Sequence, residues 1–162
     1  MAIQLSGFSK NFKAKGEMNR RKKRERSVAL VFGVKEEFFM QTINTEKAPA
    51  AVGPYSQAIV HNGIVYTSGQ IAIDPAAGKI IATDIEGQAE QCCKNLGEVL
   101  NAAGTNFSNV IKTTCFLAEI ADFKTFNAVY EKYFVGKPAR SCVAVKDLPA
   151  GALCEIEVIA AK

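Results

Sequence analysis

Pro138-Ala-Arg-Ser-Cys-Val-Ala-Val-Lys-Asp-Leu-Pro-Ala-Gly-Ala-Leu-Cys-Glu-Ile-Glu-Val-Ile-Ala-Ala161 reads as two short strands joined by a turn. Alternation sets Val143 and Val145 on one face of the first strand, with Cys142 and Ala144 on the other. In the second, Cys154, Ile156, Val158 and Ala160 share a face, and Glu155, Glu157, Ile159 and Ala161 lie opposite. Arg140 enters the first strand and Glu155 the second. An antiparallel return would bring the two ends close, so a guanidinium and a carboxylate could face one pocket.

Working back from this stretch, Asn109–Ala118 is a long strand rich in branched residues. Between the two lies a helix begun by Asp122, with Phe123, Phe126, Val129, Tyr130, Tyr133 and Phe134 on one face. An aromatic stripe at this spacing reads as core. Asn127 sits beside the stripe, in a mid-helix position where its side chain competes with the backbone, which points to a task elsewhere. Further back, Thr83-Asp-Ile-Glu86 fits a capping box. From there Ile85, Ala89, Cys92, Cys93, Leu96, Val99, Leu100 and Ala103 step by three and four to Gly104, a left-handed stop.

Before that helix, Ser56–Val60 and Ile64–Ser68 flank His61-Asn62-Gly63, an Asn-Gly hairpin signal, and a third short strand is expected around Ile71–Ile73. The expected fold is α+β, a mixed six-stranded sheet with two helices on one face. The open sheet face, carrying Glu155, Ile159 and Ala161, is partly apolar and is expected to meet a second copy of the chain.

Charge divides the 162 residues in two. Residues 1–39 hold ten bases and four acids, and residues 40–162 hold ten and twelve, so the basic character belongs to the first segment. That segment contains Arg20–Arg26, a charge run, and Val28–Val34, an apolar run. It reads as an extension to a single domain over 40–162: an unprocessed or artificial leader with Met40 as the natural start, an organelle-targeting segment, or a basic patch for nucleic acid. The body offers no basic groove, so nucleic acid is not the expected partner. No apolar run reaches the length of a membrane span. Cys92, Cys93, Cys115, Cys142 and Cys154, odd in number and set in apolar segments, fit a reducing compartment. A cytoplasmic location is expected, or a mitochondrial one if residues 1–39 direct it there.

The motifs also exclude chemistry. There is no phosphate loop and no dinucleotide fingerprint, and His61, the only histidine, lies in a turn. No metal site or cofactor is expected, so catalysis would rest on carboxylates, tyrosine, cysteine, arginine and backbone groups. Arg140 is the only arginine after residue 39. Its planar fork suits a carboxylate gripped by two hydrogen bonds, although composition alone favours a structural salt bridge, with Glu155 or Glu157 as partner. Cys142 has no base nearby to form a thiolate and reads as packing or a backbone contact. Tyr55 could offer its hydroxyl to a ligand or simply anchor the Gly-Pro-Tyr lead-in.

Pro138–Cys142 followed by Leu153–Glu157 resembles the signature of the Rid family, the reactive intermediate deaminases also called YjgF-type or L-PSP proteins. The likeness extends through Ala48–Ser56, Thr67–Gln70, Ala102–Gly104, Val110–Thr114, Asp122-Phe123 and Asn127–Glu131. It spans residues 42–161, and the family has no counterpart to residues 1–39. The resemblance implies a chorismate-mutase-like fold assembled as a homotrimer, with a site in each cleft between subunits. It further implies hydrolysis of 2-aminoacrylate and 2-aminocrotonate, in their imine forms, to 2-oxo acids and ammonia. On this reading Arg140 binds the substrate carboxylate with help from the Cys142 amide, and Glu155 activates water. Tyr55, Ser68, Gly69 and Asn127 line the cleft. The competing readings are a non-catalytic trimer that binds 2-oxo acids and an endoribonuclease of the L-PSP type.

Overall fold

The computed structural model describes residues 40–162. The expected extension over 1–39 lies outside the described residues. In chain order the elements are β1 (Gln41–Ile43), β2 (Ala58–His61), β3 (Ile64–Thr67), β4 (Ile73–Asp74), β5 (Lys79–Ile80), α1 (Ile85–Ala103), β6 (Val110–Leu117), α2 (Phe123–Tyr133), β7 (Ala139–Ala144) and β8 (Cys154–Ala161). Six strands form one sheet in the order β1-β2-β3-β8-β6-β7. All its pairings are antiparallel except β6 with β7, the strands joined by the α2 crossover.

The expected mixed sheet of six strands is present, but one member differs. Ile71–Ile73 does not join it: Ile73–Asp74 pairs only with Lys79–Ile80 in a separate hairpin, and β1 supplies the sixth strand. The Asn62-Gly63 turn adopts the left-handed pair of conformations, φ 51° and 73°, that lets β2 return as β3.

Both helices lie against one face of the sheet. Every residue of the α1 stripe is buried, and together with Val65, Leu117, Phe126, Phe134, Cys154, Ile156, Val158 and Ala160 it forms the core. The cap of α1 falls one residue later than the capping box suggests. Asp84, with extended backbone, accepts from the Gly87 amide at 2.8 Å, and Gly104 ends the helix at φ 82°. Asp122 occupies the cap position of α2 but makes no side-chain capping bond, because a preceding 3-10 turn over Ile120–Asp122 carries the chain into the helix.

The face away from the helices is open. Ile59, Tyr66 and Ile159 lie side by side across β2, β3 and β8, and Phe116 is flanked by Glu155 and Val143. Tyr66 is 45% exposed and Val143 47%. This is the partly apolar face that the alternation in β8 suggests.

Candidate active site

A break in the sheet builds the first part of the site. β3 and β8 pair in register through Tyr66 and Ile159, and the chains meet again where Gln70 exchanges both backbone bonds with Ile156, at 2.9 and 3.1 Å. Between these points three residues, Thr67 to Gly69, oppose two, Glu157 and Val158. The extra residue is a bulge, which opens the ladder beside Glu155. Gly69 stands so close to that carboxylate that a Cβ there would lie 1.7 Å from Oε1. Its missing side chain makes the room that Glu155 occupies.

The bulge, the lead-in loop and Pro149 surround a cavity of about 310 Å³, walled by Pro49, Val52, Tyr55, Ser68, Gly69, Ile71, Ile73 and Glu155. Burial, reinforced by the Glu157 charge, pushes the Glu155 carboxyl above its ordinary value of 4.5. The Tyr55 hydroxyl accepts from the Val52 amide at 3.3 Å, leaving its own hydrogen available to a ligand. Ser68 is different: its hydroxyl donates to the Ser56 carbonyl at 2.6 Å and can only accept from a ligand.

Gln57, which sequence reasoning passed over, fixes the lead-in loop. It is 2% exposed; its Oε1 accepts from the Thr45 amide at 2.6 Å, and its Nε2 donates to the Pro49 and Thr45 carbonyls at 2.7 and 3.0 Å. Asn95, equally buried, donates from α1 to the Ile71 and Ile73 carbonyls at 3.0 and 2.8 Å and so holds the opposite wall. A glutamine just before an inward-facing alanine and an asparagine inside an apolar helical stripe were the available signals.

Arg140 is elsewhere. β6 runs between β7 and β8, with Arg140 level with Thr113 and Val158, and Glu155 level with Phe116 and Val143. Two strand spacings across and three residues along separate them by about 14 Å of backbone. Registered neighbours share a face, so Arg140 projects on the helix side and Glu155 on the open side. The expectation that one antiparallel return brings them into a common pocket is therefore corrected, as is the salt bridge to Glu155 or Glu157. Arg140 instead donates from Nη1 to Asn127 Oδ1 at 2.7 Å, its guanidinium carbon 4.6 Å from the centre of the Tyr130 ring and 5.5 Å from that of Phe123. Arg140, Asn127 and Tyr130, together with Glu131, Phe134, Lys137 and Pro138, line a shallow hollow of about 500 Å³ at the β7 edge.

Asn127 thus joins Arg140 and not the Tyr55–Ser68–Gly69–Glu155 group. Cys142 lies on β7 beside Cys115, half-buried, and burial pushes its thiol up despite the opposing pull of Arg140. A thiol raised in this way is less readily ionised to the thiolate that a nucleophile needs. Among the described residues no carboxylate forms an ion pair with Arg140.

Two helices on one face of a mixed sheet, with a carboxylate in a cavity and, at the edge, a guanidinium that forms no ion pair among the described residues, define an α+β domain with two hollows. The family described as Endoribonuclease L-PSP matches residues 45–162. The chain is 51% identical over 121 residues to Reactive Intermediate Deaminase A, chloroplastic, of Arabidopsis thaliana, covering 74% of this chain and 65% of that protein. It is 50% identical to the 2-iminobutanoate/2-iminopropanoate deaminase of Rattus norvegicus, covering 74% of this chain and 88% of the relative. The crystal structure of E. coli TdcF with bound serine is similar at a TM-score of 0.72 and 40% identity, over 75% of this chain and 98% of that one. The chain belongs to the Endoribonuclease L-PSP family, the reactive intermediate deaminases that its motifs resemble.

Proposed function

We propose that the protein hydrolyses 2-imino acids, the tautomers of 2-aminoacrylate and 2-aminocrotonate, to 2-oxo acids and ammonia. It does so as a homotrimer in which Glu155 of one subunit and Arg140 of the next share a cleft. The observation that carries this reading is the placement of the two charges on opposite faces of one sheet, each in an open hollow. One subunit cannot bring them together, whereas a ring of copies in which each open face meets the next subunit's edge can. The exposed Tyr66 and Val143 on the open face supply apolar contact for such a ring. Relatives named 2-iminobutanoate/2-iminopropanoate deaminase supply the reaction class, and the TdcF structure holds serine, a small molecule with a carboxylate.

The residues suit the chemistry. The protonated imine carbon is already electrophilic, so the protein needs only to hold it and manage protons. Arg140 pairs with the substrate carboxylate, with the Cys142 amide assisting, and fixes the carbon in place. Glu155 takes a proton from water as the oxygen–carbon bond forms, giving a carbinolamine. It returns that proton to the nitrogen, the carbon–nitrogen bond breaks, and loss of the hydroxyl proton leaves the 2-oxo acid and ammonia. A carboxyl raised by burial is the better base for this task near neutral pH. Tyr55 and Ser68 line the water side, and the apolar wall of Pro49, Val52, Ile71 and Ile73 receives the substrate side chain.

Among the described residues no helix is long and apolar enough to cross a membrane. We place the domain in a reducing compartment, the cytoplasm, or an organelle if residues 1–39 serve as a targeting segment. A relative carries the word chloroplastic in its name.

The test is ammonia release from enzymatically generated 2-aminoacrylate, with Arg140→Ala and Glu155→Ala alongside. Wild type that does not exceed the uncatalysed rate overturns the deaminase reading and leaves a 2-oxo-acid-binding module. Variants that match wild type overturn the site.

A further inference from the structure

The guanidinium of Arg140 is held by groups that do not neutralise it. Asn127 contributes a neutral amide oxygen, and Tyr130 and Phe123 contribute ring faces. An aspartate or glutamate at any of these positions would fix the side chain equally well but would satisfy its charge. A ring face attracts the cation while leaving its N–H edges free, and of five N–H donors Asn127 engages one.

The Tyr130 ring is itself fixed. Its hydroxyl is hydrogen-bonded to Thr113 Oγ1 at 2.8 Å, and Thr113 is fully buried and directly beside Arg140 in the β6–β7 register. The ring also stacks on Phe134, 4.1 Å between centres and 17° from parallel. The strand position next to the arginine thus sets the height of the platform on which the arginine rests.

We infer that Tyr130, seated by Thr113, and Phe123 are positioning residues that hold the Arg140 guanidinium rigid without pairing its charge, and so set affinity for the substrate carboxylate. This rests on the reading of Arg140 as the carboxylate binder and goes beyond it by placing part of the binding energy in residues that do not touch substrate. Their loss should weaken carboxylate binding and spare the chemical step at Glu155.

Pyruvate, a 2-oxo acid that does not turn over, is the probe, with binding followed by calorimetry on the whole protein beside KM and kcat. Tyr130→Leu is expected to weaken pyruvate about 5- to 10-fold and to raise KM in parallel, with kcat changed by less than about 2-fold. Tyr130→Phe, which keeps the ring, should recover most of that loss. Phe123→Leu, at the more distant and partly exposed ring, should weaken binding about 2- to 3-fold. A folded Tyr130→Leu protein with wild-type affinity overturns the inference, and so does a Tyr130→Phe protein as weak as Tyr130→Leu. If Tyr130→Leu does not fold, Phe123→Leu decides, and unchanged affinity there overturns it. A merely structural role would lower the active fraction and kcat without moving KM. Loss of ammonia-releasing activity in wild type would strike the deaminase reading alone. Pyruvate binding unaffected by Arg140→Ala would remove Arg140 itself and the platform with it.

Discussion

The hollow around Glu155 and the ledge around Arg140 are made from the same sheet, yet they treat charge in opposite ways. At Glu155 a bulge and an absent side chain admit a carboxylate to a place where burial and Glu157 make ionisation costly. At Arg140 an amide and two aromatic rings support a cation without pairing its charge. A group that must gain and lose a proton benefits from an environment that resists its charge. A group that must attract an anion benefits from one that preserves it. On the proposed reading each half serves one task, and neither is a site alone.

Mixing the halves tests that division most severely. Glu155→Ala should lower kcat about 10²- to 10³-fold, the contribution expected of a positioned base. Arg140→Ala should fall as far in kcat/KM. If the two groups meet between subunits, unfolding and refolding the two inactive variants together should restore about a quarter of the wild-type activity, since that fraction of clefts draws one intact group from each parent. No recovery in properly assembled mixtures would place both groups in a cleft from one chain and break the comparison.

Gly69→Ala probes the Glu155 half without touching its chemistry. The new methyl overlaps the carboxylate, and the flexible glutamate yields before the backbone does. The expected result is a loss of about 10²-fold in kcat, the penalty for displacing a reacting group by about 1 Å, with little change in melting temperature. An equal fall in stability would mean that the bulge, and not the carboxylate, had moved. At the other half, Arg140→Lys keeps the charge but loses the planar fork, and KM should rise about 10-fold while kcat is largely kept.

The two halves were unequally legible from the chain. Glu155 and its face followed from the alternation in β8, and the α1 stripe and the Asn62-Gly63 turn followed from periodicity and backbone preference, all local properties. Asn127 stood out because asparagine is out of place mid-helix, and the reason is its bond to Arg140. Strand order is not local. Two strands joined by a turn read as neighbours, but β6 intervenes, because the α2 crossover makes β7 its parallel partner and β8 returns on the other side. β1 was missed for a related reason: three residues carry too little pattern to announce a strand, and only pairing to β2 makes them one. The roles of Phe123 and Tyr130 were hidden by their spacing, which marks them as core; Tyr130 is buried and also serves as a platform.

The smallest expected effect bears most directly on whether the two halves sense each other. The folded Glu155 pKa is raised above 4.5, so its contribution to stability is full below that value and is lost as pH rises through the folded pKa. At pH 8 the ionised carboxylate is a burden, and Glu155→Gln should melt at a higher temperature than wild type, with the gap closing by about pH 4. A cation facing it across the cleft would offset that burden. The stabilisation by Glu155→Gln should therefore be larger in an Arg140→Ala background than in the presence of Arg140, a difference that a double-mutant cycle at pH 8 measures directly. Equal gains in both backgrounds would mean that the charges occupy separate clefts, and the shared site would fall even if each residue alone were essential.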